Sequence, residues 1–67
     1  MKNNIKYLRA KLDLTQNDLA EKVGCTRQTI NAIEKDKYAP SLLLGFKIAN
    51  VLQEDINNVF LHEKEKE

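Results

Sequence analysis

The side chains able to do chemistry gather in one short stretch. Thr26-Arg27-Gln28-Thr29, with Asn31 just beyond, is a run of hydrogen-bonding groups, and Lys35, Lys37 and Tyr38 follow it. The run offers donors and acceptors but no nucleophile set beside a base, so its chemistry is non-covalent. Cys25 is the only cysteine, which excludes an internal disulfide framework and a cysteine-based zinc site and fits a reducing cytoplasm. At an apolar turn position it reads as a buried, inert thiol rather than a redox sensor. His62 stands in a charged tail with no second ligand at metal spacing. No metal, no cofactor and no enzymatic activity are expected.

The elements that must position this stretch are short helices. Asn3 or Asn4 can cap a first helix carrying Ile5, Leu8 and Leu12 at helical spacing and ending near Leu12. Thr15 with Asp18 three residues on resembles a capping box, opening a two-turn helix with Leu19, Ala20 and Val23 on one face. Gly24 supplies a position where positive φ costs little, and Thr26 caps a third helix that runs to about Lys35 and buries Ile30 and Ile33. DKYAPS reads as a loop, because the residue before Pro40 is pushed out of the α region, and Ser41 caps a fourth helix over about 42–52. Asp55 caps a short fifth helix through Ile56, Val59 and Phe60, and HEKEKE is a charged, solubilising tail.

Sixty-seven residues allow one domain with a small core. The chain is 42% hydrophobic and 31% charged, which suits a soluble helical domain, and its net charge of +1 means that any charged partner must be met locally. Its longest apolar run, Leu42 to Leu44, falls far short of the ~20 residues a bilayer requires, so no signal peptide, spanning segment or membrane partner is expected.

Two short helices joined by a tight glycine turn make a helix-turn-helix, here over 16–35. Counting from Gln16, Ala20 is fifth, where the helices approach closely, and Gly24 is ninth, at the turn; Leu19, Val23, Cys25, Ile30 and Ile33 clamp the pair to the core. The signatures TQNDLAEKVGCTRQTINAIE, KDKYAPS and LGFKIANVL resemble the phage lambda-type repressor and Cro domains, also called the xenobiotic-response-element family, over 5–60, with 61–67 as the tail.

That resemblance implies an all-α fold of five helices with helix 3 in the DNA major groove. Thr26, Arg27, Gln28 and Thr29 then become the reading head, with Arg27 suited to guanine, Gln28 to adenine, Thr26 or Thr29 to a thymine methyl or a phosphate, and Asn31 to a further base. Phosphate contacts fall to Gln16, Lys35, Lys37 and Tyr38, helped by backbone amides of the loop. Arg9 and Glu34 match positions that form a structural ion pair between helix 1 and the end of helix 3.

Helix 4 carries an unexpected surplus of apolar residues. Leu42, Gly45, Phe46, Ala49 and Leu52 share one face, while Leu44 and Val51 lie opposite, forming a second stripe continued by Val59, Phe60 and Leu61. A stripe of that kind suggests a homodimer reading two half-sites; the alternative is that Val59 to Leu61 fold back within one chain as a short C-terminal strand. The reading is a cytoplasmic, sequence-specific transcriptional regulator, a repressor on double-stranded operator DNA. Its rivals are an antitoxin or phage-type switch protein, and a protein-interaction module on the same fold. With no room for an effector domain, any signal acts through a partner protein, the tail or concentration.

Overall fold

A computed structural model describes residues 1–61. His62 and the HEKEKE tail lie outside the described residues. The order of elements is β1 (Lys2–Asn3), α1 (Ile5–Lys11), α2 (Gln16–Val23), α3 (Arg27–Glu34), α4 (Leu42–Leu52), α5 (Ile56–Val59) and β2 (Phe60–Leu61). The five helices are those expected, and the fold-back alternative for 60–61 is the one observed. What was not expected is the strand's partner: β2 pairs antiparallel with β1, Lys2 opposite Leu61 and Asn3 opposite Phe60.

Local chemistry fixes the helix starts. The Thr15 hydroxyl accepts from the Asp18 amide at 2.9 Å while the Asp18 carboxylate accepts from the Thr15 amide at 2.9 Å, a complete capping box. Thr26, Ser41 and Asp55 cap α3, α4 and α5 through their side-chain oxygens. Asn4 stands at the cap of α1, but the side chain that accepts the first amide, that of Ile5, belongs to Asn3. Asn3 also donates to the Ile33 carbonyl at 2.9 Å, and the Asn4 amide donates to the Val59 carbonyl at 2.8 Å. The chain start therefore straps the end of α3 to α5.

One device ends four of the five helices. A residue with positive φ is followed by an amide that bonds back five positions: Leu14 to Arg9, Cys25 to Ala20, Lys37 to Ala32 and Glu54 to Ala49. The turning residues are Asp13, Gly24, Asp36 and Gln53, with φ from 56° to 80°. Only at Gly24 did the residue type announce the turn. A Cβ there would meet nothing within 4 Å, so glycine answers to the backbone angle and not to crowding.

The core is Ile5, Leu8, Leu19, Ala20, Val23, Ile30, Ile33, Ile48, Ala49, Leu52 and Val59, all buried. Helix α4 runs through it, packing against α1, α2 and α5, and α3 is held mainly by α2. Two corrections follow. Leu12 lies at the exposed margin and not in the core. Helix α4 is rotated from the expected face: Ile48 is wholly buried, Leu44 and Val51, at its i−4 and i+3 positions, pack against the core, and Leu42 and Phe46 are 71% and 51% exposed. Eight-residue α2 and α3 had little such ambiguity because their polar faces are continuous.

Candidate nucleic-acid interface

The turn at Gly24 brings α3 against α2, with α3 beginning at a capped, exposed end. Arg27 and Gln28 occupy its first two positions; both are exposed, and among the described residues neither side chain has a hydrogen-bond or ionic partner. At that end they present free donors and, for Gln28, a free acceptor. Thr26 and Thr29 are less free. The Thr26 hydroxyl accepts from the Thr29 amide at 3.2 Å and lies 3.0 Å from the Thr29 hydroxyl, so its first duty is closing the helix end.

Asn31 is turned away from the others. Partly buried, it donates from Nδ2 to Gln16 Oε1 at 3.3 Å, across from α3 to the first residue of α2. Gln16 in turn donates from Nε2 to Glu34 Oε1 at 3.1 Å. Glu34 completes the set with Arg9, whose Nε lies 2.6 Å from Oε2 and whose Nη2 lies 3.1 Å from Oε1; Arg9 Nη1 donates to the Leu14 carbonyl at 2.8 Å. The pair is bidentate and nearly closed to solvent, with side chains 12% and 7% exposed. The expected tie between α1 and the end of α3 is thus present, and Gln16 and Asn31 extend it, which the spacing did not reveal.

Lys35, Lys37 and Tyr38 are exposed just past α3. The loop amides expected beside them are not all available: those of Lys35, Asp36 and Lys37 donate inward to the Asn31, Ile33 and Ala32 carbonyls. At Lys35 and Lys37 the side chains, and not the backbone amides, are left to meet a partner. At the start of α2 the amides of Gln16 and Asn17 precede any intrahelical acceptor and remain open to an anion. Cys25 is only partly buried, and desolvation pushes its thiol pKa above the ordinary value, which disfavours a reactive thiolate.

The stripe expected at a dimer contact is largely internal. Val59 is wholly buried, Leu44, Val51 and Phe60 pack against the core, and Leu61 alone of the five is exposed. The reason is the rotation of α4 about Ile48 together with the docking of β2 on β1. Leu42, Leu43 and Phe46 are the apolar residues that α4 exposes. Beside them runs a groove lined by Met1, Ala39, Pro40, Leu42, Gly45, Ile56 and Phe60. No helix among the described residues is long and apolar enough to cross a membrane.

Comparison with known proteins agrees with this geometry. A helix-turn-helix family model matches residues 5–57. The chain is 54% identical over 66 residues to a protein of Methanocaldococcus jannaschii named an uncharacterized HTH-type transcriptional regulator, covering 98% of this chain and all of that one. A Bacillus subtilis protein of the same description is 49% identical over 65 residues, 97% of this chain and 98% of its own. One from Archaeoglobus fulgidus is 46% identical over 66 residues, 98% and 93% of the two chains.

Proposed function

The chain belongs to the helix-turn-helix family of lambda-repressor and Cro type, and from that membership we infer that it is a repressor which occupies an operator as a homodimer, with α3 in the major groove. That it is a DNA-binding transcriptional regulator follows from the family. The finer reading is carried by one observation: Arg27 and Gln28 stand adjacent, exposed and unpartnered at the start of a helix whose other polar side chains on this side are already engaged. Such a pair can hold a guanine and an adenine edge bidentately. Gln16 with the open amides of α2 would hold one phosphate strand, and Lys35, Lys37 and Tyr38 the other, fixing register without reading sequence. The mechanism is steric occupancy of a promoter in the cytoplasm, controlled by protein concentration or by a partner protein.

The homodimer reading keeps its premise and changes its residues. Leu42, Leu43 and Phe46 on α4, with Leu61 at the edge of β2, offer an exposed apolar surface, whereas Leu44, Val51 and Val59 are committed within the monomer. Selection of bound sequences from a random DNA pool tests both parts. Enrichment of an inverted repeat is expected; an asymmetric single site would remove the dimer, and no enrichment would overturn sequence-specific binding in favour of a protein-interaction role.

A further inference from the structure

The chain of hydrogen bonds running from Arg9 through Glu34 and Gln16 to Asn31 has a fixed polarity. A carboxylate only accepts, so Glu34 Oε1 obliges Gln16 to turn its amide nitrogen inward, at 3.1 Å. The Gln16 carbonyl oxygen is thereby presented to Asn31, which must donate to it, at 3.3 Å. Gln16 is gripped at both ends of its amide by residues of α3, and one of its two amide hydrogens remains uncommitted. The anchor of the chain, the Arg9–Glu34 pair, is bidentate and nearly closed to solvent.

We propose that Asn31 is a positioning residue: it holds the Gln16 amide in the orientation that grips a DNA phosphate, and it does not read a base. The proposal rests on Gln16 being a phosphate contact, as argued above. Three features support it. Asn31 is partly buried on the side of α3 that faces α2, whereas Arg27 and Gln28 are exposed and unpartnered. One of its two amide hydrogens is held by Gln16, which turns the side chain toward α2. A glutamine side chain left free must lose rotamer freedom on meeting a phosphate, and one held beforehand loses less. The consequence is a coupling between the two helices: how firmly α2 grips the backbone depends on a side chain of the recognition helix, though that side chain meets no base.

The test uses the full chain and two readouts. In the free protein, the side-chain amide of Gln16 followed by NMR relaxation should become markedly more mobile in Asn31→Ala, while the backbone of α2 and α3 is unchanged. An equally ordered Gln16 amide in that variant would overturn the proposal without any DNA present. With the selected operator and its single-base variants, Asn31→Ala should weaken every site by a similar factor, about fivefold for one hydrogen bond, leaving the rank order intact. In the background of Gln16→Ala, adding Asn31→Ala should cost nothing more, whereas a merely structural role would cost the same in either background. Relaxed discrimination at one base pair, or additivity with Gln16→Ala, would overturn the positioning role while leaving DNA recognition standing. A native protein that selects no DNA would instead overturn the parent reading.

Discussion

Arg9 on α1 holds Glu34 at the end of α3 through two hydrogen bonds, 2.6 Å and 3.1 Å, with both side chains nearly sealed from solvent. Removing one partner strands the other charge in a site that water barely reaches. Arg9→Ala should therefore cost about 3 kcal/mol, toward the lower end for a buried pair because Gln16 still donates to the stranded Glu34 carboxylate. For a domain whose whole stability is only about 3–10 kcal/mol, that loss is large. Urea unfolding of Arg9→Ala and of the paired variant Arg9→Met with Glu34→Leu checks the argument. The paired variant should recover much of the loss; equal destabilisation of both would place the effect in packing and not in charge.

At the start of α2 the Thr15 amide and hydroxyl both bond to Asp18 and hold its carboxyl below the ordinary aspartate value, with Lys22 adding a smaller contribution. Because the folded-state value is depressed, the stability this carboxylate contributes is fully present above its unfolded value, about 4, and is lost as pH falls through the lower folded value. Asp18→Asn keeps a side-chain oxygen for the Thr15 amide but cannot titrate. A stability-versus-pH comparison should show the native protein losing more than the variant across that acid window, and coincident acid limbs would contradict the assignment.

Arg27 and Lys37 should fail in different ways. Arg27→Ala is expected to lose ~1–3 kcal/mol on the preferred operator and to relax discrimination at one base pair per half-site, with less effect on nonspecific DNA. Lys37→Ala should weaken all sequences alike and lower the log–log salt slope by about 1. Binding of both variants to a panel of single-base operators across a salt series separates the two roles. An unchanged spacing among operators in Arg27→Ala would remove it from the reading set.

Phe46 and Leu44 sit two residues apart on α4 and should also part company. Phe46→Glu places a charge on the exposed face and should weaken self-association with the fold intact, whereas Leu44→Glu forces a charge against the core and should unfold the domain. Sedimentation and circular dichroism on both decide between this face and the one first read from the sequence. A native protein that is monomeric far above its operator-saturating concentration would exclude a preassembled dimer.

What the sequence by itself determined about this protein was whatever acts over three or four residues. Thr15 with Asp18, Thr26, Ser41 and Asp55 name the helix starts because a cap bonds an amide two or three positions on, and Gly24 names the turn because positive φ suits it. The spacing from Gln16 to Lys35 named the helix-turn-helix, and the position of Arg27 and Gln28 named the exposed head of α3. The rotation of α4 was not legible, since only Lys47 and Asn50 interrupt its apolar surface and nearly any face could have been the inner one; packing against α1, α2 and α5 chose the face of Ile48. The partner of β2 comes from the far end of the chain, where no local pattern points. Asn31 looked like a fourth reader along α3, and only the docking of α2 showed its amide turned to Gln16, because the direction of a polar side chain is set by which partner folding brings within reach.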